Sequence, residues 1–376
     1  MMRITERLRL IKLTVLGGLL LSVLLSLNLW AGQRWFPKVP AIEGLYGLYA
    51  PYDFVYLAVL LLLIFVCFFS SARAPVWILI LFGAYLCIED QNRLQPWFVN
   101  YLFILLILQF YKHRMDQPNN FTSVFISLQV LVALIYIYSG IQKLNPFFVT
   151  DTFTWMIDPL RSVLSDKQMS LFYRFGNVVP YIELLTGIGL LFRPARFIAL
   201  PLIITMHVFI LLMLGPAGRS VNYVVWPWNL VMIVLCLLLY GNTPTDRFFD
   251  ISFLIKHLPF YMVLLVMLVL PFFSLNNKYD SYLSSSLYSG NTNGCKLILS
   301  DTAYNRLPLY LRAFVTRDAD YNLLFVKHWA MTELNAPCVP EHRIFENVQK
   351  RVILLTRTGP DDVKLDYTER KKILDF

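Results

Sequence analysis

The stretch Tyr136-Ile-Tyr-Ser-Gly-Ile-Gln-Lys-Leu-Asn-Pro-Phe-Phe148 puts a lysine, Lys143, at the end of an apolar run that begins near Thr122. The run is long enough for a helix that spans a bilayer. Gln129, Tyr136 and Lys143 recur every seven residues, so they share one helical face, and Ser139 and Gly140 lie between the last two. A polar stripe of this kind needs something other than lipid to face. An ionisable group at membrane depth costs roughly 2.5–3.5 kcal/mol and is a functional-site candidate. The alternative is an anchor: with Pro146 just ahead, the Lys143 ammonium can snorkel to the headgroups and fix the helix end.

Outward from that run the composition is of one kind. Of 376 residues, 57% are hydrophobic and only 15% charged, with aromatics at 15%, and the mean hydropathy is +0.57. Soluble domains carry about 25% charged residues, so the chain reads as an all-α polytopic membrane protein whose partner is the lipid bilayer. The net charge of +9 is distributed in short Lys/Arg clusters between apolar runs, a topology signal rather than a nucleic-acid surface. Apolar runs at 13–30, 52–70, 75–90, 97–111, 122–145, 178–192, 196–214, 222–240 and 259–274 predict about nine spans. Arg3, Arg7, Arg9 and Lys12 precede the first, which reads as a retained helix with a cytoplasmic N-terminus. Arg73, the cluster Lys112-His113-Arg114, Arg193 with Arg196, and Arg247 with Lys256 then fall on the inner side. Asn120-Phe-Thr122, a glycosylation-type sequence, also falls there.

An odd number of spans puts the last hundred or so residues outside, on the same side as Lys143. Residues 1–274 form the predicted transmembrane domain, with an amphipathic interfacial lid at about 150–174. Residues 275–376 form a small α+β extracytoplasmic cap. Lys296-Leu-Ile-Leu299 reads as a strand, 320–333 as a helix, and a second helix starts at Pro340 with Ile344, Val348 and Val352 on one face. The charged tail 361–372 reads as frayed. Cys67, Cys87 and Cys236 sit in apolar runs as small hydrophobes, whereas Cys295 and Cys338 can pair if the cap is outside.

Within the apolar runs, Glu183, His207, Asn229 and the junction Glu89-Asp90-Gln91-Asn92-Arg93 are out of place. Polar groups at lipid depth face each other or a wet cavity, so a shared pocket is expected, with Glu183 as counter-ion to Lys143. Desolvation favours the neutral amine and a carboxylate favours the ammonium. His207 can relay a proton or satisfy a neighbour; with no second histidine or cysteine at ligand spacing, no metal is expected. Glu89 and Asp90 read as a helix-end turn unless their loop folds back toward Lys143.

The segment Tyr138-Ser139-Gly140-Ile141-Gln142-Lys143-Leu144 resembles the signature of the vitamin K-dependent gamma-carboxylase superfamily, which includes the bacterial horizontally transferred transmembrane domain proteins. The likeness extends to Trp155, to Glu183 in the next span, to His207 in the one after, and to Asp90; it covers about residues 50–240. Ser286-Leu-Tyr-Ser-Gly-Asn291 and Glu333-Leu-Asn335 resemble segments of bacterial members. The resemblance implies a bacterial inner-membrane protein with a periplasmic C-terminus. It implies a reduced quinone as cofactor, Lys143 as the amine base that deprotonates it, and a supporting role for His207. Tyr136, Ser139, Gly140, Gln142 and Asp90 would then belong to the pocket. The chain departs from the carboxylase in carrying Gln142 where that enzyme has a lysine, Trp97 near an expected histidine, and a cap too small to grip a propeptide. A quinone-dependent membrane enzyme is therefore set beside two others: an accessory protein whose cap binds or matures an exported peptide or protein, and a transporter, which the absence of an inverted repeat disfavours.

Overall fold

The computed structural model describes residues 3–45, 47–111, 118–241, 256–318 and 321–373, without the side chains of 118–121. Lys112, His113, Arg114, Arg247 and the side chain of Asn120 lie outside the described residues. The chain is mostly helical, with a four-stranded antiparallel sheet near the C-terminus. The helices are α1 (Ile4–Leu25), the short α2 (Leu27–Trp30), α3 (Phe54–Phe69), α4 (Ala74–Glu89), α5 (Pro96–Leu108) and α6 (Pro118–Gln142). They continue as α7 (Thr154–Ile157), α8 (Asp166–Gly176), α9 (Val179–Leu191), α10 (Arg196–Leu214) and α11 (Val225–Tyr240), and an apolar helix over Leu258–Ser274 with a π-helical middle precedes the cap. Proline sits in the first turn of α4, α5 and α9, where a missing N–H leaves no bond unmade.

The expectation of about nine spans is corrected in length. Three helices are long and apolar enough to cross a membrane, Ile4–Leu25, Thr122–Gln142 and Arg193–Leu214; six further apolar helices have 10–17 residues. At 1.5 Å per residue a helix of about 16 residues covers roughly 24 Å, less than a hydrocarbon core of about 30 Å. The predicted runs had counted flanking residues that the fold uses as turns: Asp90 leaves α4 as the cap of a 3-10 turn, Gln109 and Phe110 follow the end of α5 as a turn, and Ser70 ends α3 in an extended conformation.

Helix α6 lies at the centre: 78% of its apolar window is buried, against 28% for α10. Its closest neighbour is α9, and two glycines allow the approach. A Cβ added at Gly140 would stand 2.5 Å from the Leu184 backbone nitrogen, and one at Gly187 would stand 2.8 Å from that of Ile137. Helices lacking a hydrophobic drive between them associate through such small-residue contacts. On the other side α6 meets the helix Leu258–Ser274, where the Tyr138 hydroxyl donates to the Leu268 carbonyl.

In the cap the strand order is β2-β3-β1-β4, with β1 Gly294–Leu299, β2 Val315–Arg317, β3 Asn322–Phe325 and β4 Val363–Thr368. Two expectations change here. The stretch predicted as a helix from 320 begins as β3, because Leu323 and Leu324 pair with β1 before the helix Val326–Leu334 starts. The tail predicted as frayed forms β4 beside β1, Val363 turned inward and Lys364 and Asp366 outward. The helix His342–Thr356 buries Ile344, Val348 and Val352 as expected. Cys295 and Cys338 are free thiols, and burial pushes both up to about 12, so they stay protonated.

Candidate functional site

Tyr136 and Ser139 occupy one face of α6, and Lys143, in the turn just past its end, continues that face at the i+7 position. The glycine contacts bring α9 close enough for Glu183 to meet that face. Lys143 Nζ donates to Glu183 Oε2 at 2.6 Å and to Ser139 Oγ at 2.6 Å. The side chains of the pair are only 12% and 7% exposed. The amine points inward, so the snorkelling alternative does not describe this lysine.

Two turns back from Lys143, the Tyr136 hydroxyl lies 2.7 Å from His207 Nε2 of α10 and 3.4 Å from Cys236 Sγ of α11. His207 Nδ1 lies 2.6 Å from Asn229 Oδ1, and Asn229 Nδ2 donates to the Val225 carbonyl at 2.6 Å. Both groups line a single cavity of about 120 Å³, closed further by Asn100, Met156, Met206, Trp228 and Leu287. Helices α5, α6, α7, α9, α10 and α11 thus converge on one small polar chamber.

Its roof comes from the segment that follows the last apolar helix. Ser285, Leu287 and Tyr288 line the cavity, and Ser285 and Tyr288 hold left-handed backbone conformations at φ 60° and 59°. For bulky residues these cost energy and persist only where the surroundings fix them. The fixing contacts are visible. Gly290, at φ 79°, has the Phe148 nitrogen where a Cβ would come within 2.5 Å; Asn145 donates to the Ser289 carbonyl at 2.9 Å. The Tyr288 hydroxyl accepts from Asn222 Nδ2 at 2.7 Å, and burial pushes that hydroxyl up to about 12.

The stretch predicted as a lid forms a π-helical turn, α7, a 3-10 turn and α8. Met156 of α7 reaches the cavity, Trp155 stacks on Tyr288, and Arg219 ties the segment down through the Trp155 carbonyl and Asp158. A larger groove of about 520 Å³ lies elsewhere, between the end of α1, residues 220–223 and the cap helix Val326–Leu334. Its one carboxylate, Glu333, is already bound to the Trp35 and Phe36 backbone nitrogens and to Trp329. The reactive groups Lys143, Glu183, His207 and Tyr136 are in the smaller cavity.

Of the candidate residues, Lys143, Glu183, His207, Tyr136 and Ser139 meet at the cavity, and Gly140 acts as the spacer that brings α9 in. Two are corrected. Gln142 is turned about 100° from Lys143 around the helix and donates to Ser274 Oγ at 2.6 Å, away from the cavity. Asp90 is bound to Arg34, accepts from the Val39 nitrogen at 3.1 Å and from Asn92, and caps the turn after α4, so its loop does not fold back toward Lys143. Asn229 was visible as a polar residue inside an apolar run, whereas Cys236 was read as a small hydrophobe and the roof carried no signal of its place. No known protein family, no curated protein and no solved structure matches the chain.

Proposed function

We propose that this chain is a polytopic membrane protein of about nine spans, several of them short, with its N-terminus in the cytoplasm and its cap in the periplasm of a bacterial inner membrane. In this reading it is a member of the gamma-carboxylase-like superfamily and a membrane enzyme that uses Lys143 as a base on a lipid-soluble hydroxyl compound, a reduced quinone. Large apolar side chains left outside the packing support the membrane setting, among them Leu62, Phe65, Phe69, Leu81 and Phe197. The observation that carries the chemistry is an amine held inside a cavity between a carboxylate and a hydroxyl.

The short Lys143–Glu183 contact gives that amine its chemistry. A proton shift along it converts ammonium and carboxylate into amine and carboxylic acid. The free amine could then take a proton from an acidic hydroxyl held against it. Ser139 fixes the direction in which Nζ points. A reduced quinone, when bound, would supply that hydroxyl. The donor set suits it, but the volume falls short: an apolar cavity of about 150 Å³ holds one benzene. Met156, Met206 and Leu287 therefore have to move aside, and the thioethers are the side chains best able to do so. Lipid extraction and mass spectrometry of purified protein test the proposal. A quinone retained by the wild type and lost from Lys143→Ala is expected; a wild type free of quinone that also fails to bind an added hydroquinone contradicts it.

A second reading, an accessory protein whose cap receives an exported peptide or protein, is favoured by the groove of about 520 Å³ beside the cap helix. It predicts that Thr332→Trp, at the groove, abolishes function while Lys143→Ala preserves it.

A further inference from the structure

The hydrogen bonds around His207 can be ordered from one end. A backbone carbonyl only accepts, so the Val225 carbonyl requires the NH₂ of Asn229 to face it, at 2.6 Å. The Asn229 amide oxygen is thereby turned to His207 Nδ1, and an oxygen there requires Nδ1 to carry a hydrogen. In a neutral ring Nε2 is then a bare acceptor, and the group that faces it is the Tyr136 hydroxyl. The Tyr136 oxygen is left free to accept, from the Cys236 thiol on one side and from the cavity on the other. All the side chains concerned are buried: His207 at 5%, Asn229 at 4%, Tyr136 at 2% and Cys236 at 0%.

We propose that Asn229 is a positioning residue that locks His207 as the Nδ1–H tautomer, so that Tyr136 is the group through which this wall of the cavity handles a proton. His207 acts behind Tyr136 and does not meet a ligand first through Nε2. When a ligand hydrogen bonds to the Tyr136 oxygen, the Tyr136 proton already points at Nε2, and it crosses to the ring only if the tyrosine oxygen gains a proton from the ligand in exchange. The protons balance: one enters at Tyr136 and one leaves to His207, giving an imidazolium whose Nδ1–H still donates to Asn229. The argument deepens the base reading of the same cavity, but rests on bonds that do not involve Lys143.

Nitrogen NMR of ¹⁵N-histidine-labelled protein reads the tautomer directly, with His207 assigned by the signal lost in His207→Gln. The wild type is expected to show a protonated Nδ1 and an unprotonated, hydrogen-bonded Nε2. Asn229→Leu should lower the Nδ1–H population several-fold, whereas Asn229→Asp, whose carboxylate accepts the same hydrogen, should keep it. Tyr136→Phe should shift the Nε2 signal alone, which keeps the test open if Asn229→Leu does not fold. A wild-type ring protonated at Nε2, or a signature unchanged in a folded Asn229→Leu, overturns the proposal. Lys143→Met is expected to retain the signature, so loss of ligand in that variant tests the base reading separately.

Discussion

Among the described residues, the buried charges at the junction of α4 and α5 and those at the cavity are built differently. At the junction of α4 and α5, Arg34, Lys38 and Arg93 face Asp53, Glu89 and Asp90, three cations against three anions. Arg93 is fully buried and also donates to the carbonyls of Leu29, Leu86 and Trp30. Asp90 binds backbone as well as side chains. Each of the six is paired with an opposite charge, although Arg34 Nε and Asp53 Oδ1 have no hydrogen-bond partner, and none of the six lines either of the two cavities described above. At the other site Lys143 has two side-chain partners, Glu183 has one, and an open chamber lies beside them. Burial of charge alone does not mark function; buried charge with unfilled space and few partners does.

Breaking the junction should cost most. Arg93→Met leaves Glu89 buried with only Lys38 at 3.4 Å, and removal of one partner from such a network costs about 3–5 kcal/mol. Thermal unfolding in detergent should show it as a large fall in Tm or as loss of expression. Gly140→Val comes next. Its new side chain meets the Leu184 backbone rather than a movable side-chain end, and overpacking of this kind costs about 1–3 kcal/mol. Spreading α6 from α9 should also part Lys143 from Glu183, so the variant should lose ligand before it loses its fold.

The cavity pair itself should be cheaper to alter. Lys143→Met combined with Glu183→Leu replaces the ion pair by apolar groups and should unfold less readily than Glu183→Leu alone, which strands the ammonium; the coupling between the two should be about 0.5–3 kcal/mol in a double-mutant cycle. A cycle with no coupling would mean that the contact does not form. The smallest effect lies in the cap. Burial raises Glu341 above its usual 4.5, with Asp280 adding to the rise against the opposing Ser281 nitrogen and Arg370. A raised folded-state value favours the protonated form, so this contribution is full below about pH 4.5 and is lost as the pH climbs through the folded value. Glu341→Gln should flatten that dependence and steady the cap at neutral pH by a few tenths of a kcal/mol, on the order of a weak ion pair, as read by pH-dependent melting.

The contrast also explains what the sequence could tell. Lys143, Glu183 and His207 were legible because each is a polar residue inside an apolar run, where only a partner or a cavity can satisfy it. Residue type did not say which way a neighbour faces: Gln142 sits one position from Lys143 and serves a different helix. Asp90 stood out by the same rule as Glu183, but its partners, Arg34 and Val39, lie far back in the chain. The tail was read from its charge density, although Val363, Leu365 and Tyr367 alternate with Lys364, Asp366 and Thr368. The strand exists because β1 is there to pair with it. The roof at Ser285, Tyr288 and Gly290 depends on left-handed conformations that contacts with Phe148 and Asn222 impose, and no local pattern encodes those.

The inward placement of one amine is most directly tested by its reactivity. Purified protein in nanodiscs is treated with a sulfonated succinimidyl ester too large for a chamber of about 120 Å³, and each lysine is then scored by peptide mass spectrometry. The account predicts that Lys143 stays unmodified while Lys167, exposed on α8, is fully acylated, and that a small lipid-soluble ester reaches both. Acylation of Lys143 by the bulky reagent at the rate of Lys167 would place the amine in water and contradict the account.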